Sequence, residues 1–155
     1  MERGIFITGT DTGVGKSIVA ATLARLLCLN GVNVGVMKPV TAGCREDYGR
    51  LVSDDAMLLC KAAGVNYCED IAPYRLKEPL APAEAARIDG LRIDFSKILE
   101  AYGRLSSEHD FMIVEGVGGL MVPLAGGLLV ADLARELALK LLVVARPDLG
   151  TINHT

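Results

Sequence analysis

Short apolar runs alternate with longer stretches of helical spacing along this chain. Ile5–Thr8 is mostly apolar and leads into Gly9, and Lys16–Asn30 repeats apolar residues at helical spacing until Gly31, which suits a C-cap. Val32, Val34 and Val36 alternate in a β-rich stretch that stops at Pro39. The pattern then predicts a helix over Asp54–Ala63, a loop across 68–82 punctuated by Pro73, Pro79 and Pro82, and helices near Ala83–Ala86 and Asp94–Leu105. Phe111–Val114 reads as a third buried strand, Leu128–Leu137 as a helix and Leu141–Ala145 as a fourth strand. Strands alternating with helices predict an α/β fold: a doubly wound, mainly parallel sheet with right-handed crossovers and helices on both faces.

Composition narrows this picture. The 155 residues fit a single domain spanning 1–155, long enough to bury roughly 70% of the unfolded surface. Half of the residues are hydrophobic, 5% are aromatic and Trp is absent, which suits an Ala/Val/Leu core. The net charge of −3 is interspersed, without the basic face that phosphate neutralisation on nucleic acid requires. No apolar run is long enough to suggest a membrane span or a signal peptide. Cys28, Cys44, Cys60 and Cys68 show no C-x-x-C spacing and read as ordinary thiols of a reducing cytoplasm. The chain stops at Asn153-His154-Thr155, where another helix is starting, so the C-terminal part of a longer domain is expected to be missing.

Candidate chemistry begins at Gly9-Thr10-Asp11-Thr12-Gly13-Val14-Gly15-Lys16-Ser17, which follows a strand and opens a helix. Glycines let the backbone curl so that its N–H groups face an anion, and the helix N-terminus adds about half a positive charge. Lys16 would reach the β- and γ-phosphates, and the Ser17 hydroxyl would ligate Mg²⁺. The spacing is irregular, with Thr10 six residues before the lysine and Gly9 one earlier. By itself the loop says nucleotide and names no reaction. The fold expectation becomes a P-loop NTPase-type sheet.

In open α/β sheets ligands sit at the carboxyl ends of strands. Lys38 directly follows the alternating valines, which sets it beside the phosphates, although a lysine there is also simply solvated in many proteins. Glu115 ends the third strand, where a carboxylate can hold Mg²⁺ directly or through water, and Gly116-Val117-Gly118-Gly119 allows close backbone approach. Asp54-Asp55 offers another carboxylate, yet Ser-Asp-Asp before a helix is also an ordinary N-cap. Gly126-Gly127 and His109 read as turn and loop residues. Arg146 fits either a phosphate contact or a structural ion pair.

The phosphate loop, Lys38-Pro39-Val40, Ser53-Asp54-Asp55-Ala56, Val114-Glu115-Gly116-Val117-Gly118-Gly119 and Gly150-Thr151-Ile152-Asn153-His154 together resemble the dethiobiotin synthetase family, in order and spacing. The resemblance runs over the whole chain. It implies an ATP-dependent cyclo-ligase of biotin biosynthesis that joins CO₂ to 7,8-diaminononanoate and releases ADP and phosphate. It implies that Gly13, Val14, Gly15, Lys16, Ser17 and Ile18 hold the triphosphate, with Asp55, Glu115, Gly116, Val117 and Gly118 also lining the nucleotide site. Ser17, Asp55 and Glu115 would surround Mg²⁺, Lys16 and Lys38 would be catalytic, and Thr12, Lys38, Ala42, Gly150 and Asn153 would meet substrate. The family forms homodimers, and Gly150–Asn153 resembles the part that a partner subunit contributes.

Two departures stand out. Ala42 occupies a position where the family offers a hydroxyl, for which Thr41 or the backbone near Gly43 are the available substitutes. The family's adenine-reading segment would lie after residue 155. Alternatives are a related P-loop ATPase or amide-forming synthetase, and a truncated, non-catalytic nucleotide-binding dimerisation module. Asp11, five before the loop lysine, speaks against a partitioning-type ATPase, which carries a lysine there.

Overall fold

Four parallel strands make the central sheet of the computed structural model, which describes residues 4–155: β1 (Gly4–Gly9), β2 (Val34–Met37), β7 (Phe111–Glu115) and β10 (Lys140–Val144), in the order β10-β1-β7-β2. Between them run β3 (Val40–Thr41), β4 (Arg45–Asp47), β5 (Arg50–Val52), β6 (Tyr74–Arg75), β8 (Pro123–Ala125) and β9 (Leu128–Leu129), paired two by two outside the main sheet. The helices are α1 (Lys16–Leu29), α2 (Asp54–Ala63), α3 (Pro82–Ile88), α4 (Phe95–Glu108), α5 (Val130–Glu136) and α6 (Thr151–His154).

Neighbouring residues on a strand face opposite sides of the sheet. Phe6 and Ile7 are both 0% exposed, and all four residues of β2 are buried, so both faces are covered. This is the doubly wound arrangement expected of continuous apolar strands. The small residues Ala20 and Ala24 of α1 are fully buried, which lets that helix approach the sheet closely. On β10, by contrast, Leu141 and Val143 are 49% and 45% exposed.

Local chemistry accounts for the element boundaries. Gly15, at φ 99°, is the N-cap of α1, a left-handed conformation open to glycine at little cost. Ser53 Oγ accepts from the Ala56 N–H at 3.1 Å and starts α2, whose acidic first turn suits the helix dipole. Asp94 Oδ1 accepts from Ser96 N–H and starts α4 in the same way.

Two expectations are corrected. The helix expected over Leu128–Leu137 starts at Val130, because the Gly126-Gly127 turn sends Leu128-Leu129 back antiparallel along Pro123–Ala125. The stretch 68–82 is not all loop: Tyr74-Arg75 pair in parallel with Val40-Thr41. A two-residue strand carries no period from which to read it.

Candidate active site at the strand ends

The register of the sheet levels the functional strand ends. Ile7 pairs with Glu115, Met37 with Val114 and Gly9 with Val144, so the phosphate loop, Lys38 and Glu115 emerge side by side at the carboxyl edge. They open on a cleft of about 420 Å³. Its walls include Thr12, Gly13, Gly15, Lys16, Ser17, Ile18, Lys38, Ala42, Asp55, Glu115, Val117 and Gly118, all expected from sequence.

Within the cleft the charged side chains interlock. Lys38 Nζ donates to Glu115 Oε1 at 2.6 Å and lies 2.8 Å from Asp55 Oδ2. Ser17 Oγ also donates to Glu115 Oε1, at 2.8 Å. Glu115 is 0% exposed, and its second oxygen, Oε2, is buried with no hydrogen-bond partner among the described residues. Burial would by itself raise the Asp55 carboxyl, but the charge and hydrogen bond of Lys38, with Ser17 and Lys16, hold it below the usual carboxylate range. The Lys16 ammonium is pushed down, first by burial and then by the nearby Lys38 charge.

The loop itself is braced from two sides. Lys16 Nζ donates to Asp11 O at 2.9 Å, and the Thr10 N–H donates to Val144 O at 3.0 Å. Arg146, left open by sequence, reaches the outside of the loop: Nη2 donates to Thr12 O at 3.3 Å and stands 3.9 Å from Asp11 Oδ2.

Not every expected site residue meets in this cleft. Val14 turns its side chain toward Gly9, and Gly116 packs against the Phe6 ring while its N–H donates to Ile7 O at 2.8 Å. Gly150 caps α6 and lines a separate hollow with Arg146 and His154, and Asn153 is exposed on the same helix. Both substitutes for the hydroxyl missing at Ala42 are already engaged, although Thr41 lines the cleft and its hydroxyl keeps further hydrogen-bonding capacity. Thr41 Oγ1 shares a 2.9 Å hydrogen bond with Ser53 Oγ, and the Gly43 N–H donates to Glu78 O.

The structure adds Leu58 to the cleft wall. It lies three residues after Asp55 on α2, so helical spacing places both on one face, a signal available once Asp55 is chosen. Asp54, chemically identical to its neighbour, turns away and pairs with Arg45 at 2.9 Å.

A family model described as an AAA domain matches residues 3–155. The chain is 44% identical over 163 residues to the ATP-dependent dethiobiotin synthetase BioD of Thermodesulfovibrio yellowstonii, covering 100% of this chain and 68% of that protein. The chain belongs to the dethiobiotin synthetase family. The corresponding protein of Methanococcus vannielii is 46% identical over 151 residues, with 97% of this chain and 68% of that one covered. That of Bacillus subtilis strain 168 is 42% identical over 153 residues, covering 99% and 65%. The chain thus spans about two thirds of the length of these dethiobiotin synthetases. Membership makes it an ATP-dependent enzyme of the synthetase class, in agreement with a site organised around a P-loop.

Proposed function

We propose that this chain carries out the dethiobiotin synthetase reaction: ATP-dependent carboxylation of 7,8-diaminononanoate with CO₂ and closure of the ureido ring, giving dethiobiotin, ADP and phosphate in biotin biosynthesis. The observation that carries the reading is the convergence of Lys16, Lys38, Ser17, Asp55 and Glu115 in one cleft at the P-loop. A bare nucleotide-binding module needs the loop and its lysine. It has no need of a second, buried lysine facing two carboxylates.

The residues fit a magnesium ion. The donors are all hard oxygens, and the buried Oε2 of Glu115, unpartnered among the described residues, is a lone-pair donor in want of a cation. Ser17, Asp55 and Glu115 would hold it. Bound there, it would neutralise charge on the phosphates and align the γ-phosphoryl group.

The chain's own groups account for the remaining chemistry. The backbone N–H groups of Gly13–Ser17 and the start of α1 cradle the triphosphate. Lys16 swings from Asp11 O to the β- and γ-phosphates. One substrate amine adds to CO₂ and loses a proton, giving a carbamate. A carbamate oxygen attacks the γ-phosphorus, ADP leaves, and a carbamic–phosphoric anhydride forms. The second amine attacks the carbamate carbon, the C–O bond to phosphate breaks, and a proton is released as the five-membered ring closes. Each step gathers negative charge, so Lys16 and Lys38 act by electrostatic stabilisation and no protein nucleophile is required.

Ile18, Ala42 and Leu58 give the cleft an apolar shoulder suited to an aliphatic chain. Gly150 and Asn153 stand outside this cleft, beside the exposed apolar Leu149 and Ile152, which supports a homodimer in which they serve the partner's substrate site. Reaction in the cytoplasm, without nucleic-acid or membrane partners, completes the reading.

The test is ADP release by the purified chain. It should depend on both diaminononanoate and bicarbonate, with dethiobiotin identified by mass spectrometry. ATP turnover indifferent to the diamine would overturn the assignment.

A further inference from the structure

The space between the two carboxylates of the site already holds a cation. Lys38 Nζ lies 2.6 Å from Glu115 Oε1 and 2.8 Å from Asp55 Oδ2, and the residue is only 3% exposed. Ser17 Oγ donates to that same Glu115 oxygen. One carboxylate oxygen therefore carries two donors, while its twin has none among the described residues. Ser17, Asp55 and Glu115 are the three side chains assigned above to magnesium, so the inference that follows rests on that reading.

Two carboxylates drawn together with no cation between them repel, and burial of Glu115 makes the repulsion costly. A lysine ammonium removes that repulsion. A divalent ion held between the same two carboxylates, even on the second oxygen of Glu115, would stand a few ångströms from the ammonium. Two cations that close in a poorly solvated site repel, so the ammonium is driven out. The backbone of Lys38 is anchored, its N–H donating to Ile71 O at 2.7 Å, but its flexible four-carbon stem lets the charge move without β2 moving. The adjoining cleft has room to receive it.

We propose that Lys38 is a stand-in cation that holds Asp55 and Glu115 together before metal arrives, and that a divalent ion displaces its ammonium into the cleft. Metal loading and delivery of the second lysine are then one event. Lys38 faces the transferring phosphoryl group only when the metal is in place.

The experiment follows the reactivity of one amine. The chain saturated with ADP, which leaves the γ-phosphate position empty, is treated with an amine-acylating reagent with and without Mg²⁺, and modification of Lys38 is measured by peptide mass spectrometry. Calorimetry records Mg²⁺ binding in parallel. Mg²⁺ should raise the Lys38 rate by about fivefold or more as the ammonium leaves its carboxylates. Glu115→Gln should abolish the rise, and Asp55→Asn serves the same purpose if that variant fails to fold. Mg²⁺ binding with Lys38 reactivity unchanged would overturn the stand-in role and leave the metal site intact. Absence of Mg²⁺ binding in the wild type would overturn the metal reading itself, and this inference with it. As a second measurement, Lys38→Met in the ADP complex should bind Mn²⁺ about tenfold more tightly than the wild type, because the competing cation is gone. Equal or weaker binding would also overturn the proposal.

Discussion

Lys38 and Glu115 are 77 positions apart in the chain, yet their side chains meet at 2.6 Å. The cause is the pairing of β2 with β7, in which Met37 stands opposite Val114, so that Lys38, the first residue past β2, comes level with Glu115, the last residue of β7. A buried ion pair is thereby tied to the sheet register. The same register aligns the pair with the phosphate loop at the end of β1.

Removing the lysine should cost stability as well as activity. Lys38→Met leaves Glu115 buried opposite Asp55, and breaking a buried pair from one side costs about 3–5 kcal/mol. Melting in metal-free buffer should fall by roughly 6–12 °C for about 3 kcal/mol in a chain of this size. An unchanged melting temperature would mean that the pair is solvated in solution.

The two lysines should separate by function. Lys16→Ala should weaken ATP binding by roughly ten- to a hundredfold, the loss of a charge-assisted contact to phosphate. Lys38→Ala should lose ring closure while nucleotide affinity stays within several-fold. Fluorescent-nucleotide titration and product analysis distinguish them, and loss of nucleotide binding in Lys38→Ala would show that Lys38 is misplaced here.

Gly116 is a packing position next to the site. A Cβ there would come within 2.8 Å of Cε1 of the fully buried Phe6 ring. Gly116→Ala should therefore destabilise by about 1–3 kcal/mol through overpacking, read in urea melts. Phe6→Leu in the same chain should recover part of that loss by vacating the ring's space.

The thiols should react in order of exposure, and stability should fall in alkali. Cys68 is exposed, whereas Cys60 is buried and its thiol pushed up to about 11, chiefly by that burial. A maleimide at pH 8 should label Cys68 first and leave Cys60 untouched until the chain unfolds. Because the folded value lies above the ordinary 9.0, the unfolded chain sheds this proton first as pH rises. The contribution is present below pH 9.0 and is lost as pH climbs toward about 11, measurable as a falling urea midpoint. Cys60→Ala should flatten that alkaline slope.

Much of this architecture is written locally. The phosphate loop, the Ser53 cap, the apolar strands and the residues that end them are each specified by a few adjacent positions, because glycine geometry, capping and strand period are short-range effects. From these the chain alone determines a P-loop α/β fold with Lys16, Lys38 and Glu115 at one edge. Other features depend on neighbours distant in sequence. The two-residue strands β3 and β6 exist only as partners of each other. Asp54 and Asp55 are indistinguishable in the sequence, and only packing sends one to Arg45 and the other to Lys38. Tertiary structure also decided that Thr41 is engaged by Ser53, that Arg146 braces the phosphate loop, and that one oxygen of Glu115 is left without a donor among the described residues. Hydrogen-bond partners are settled by which strands and helices come to lie side by side, and that is a property of the whole fold.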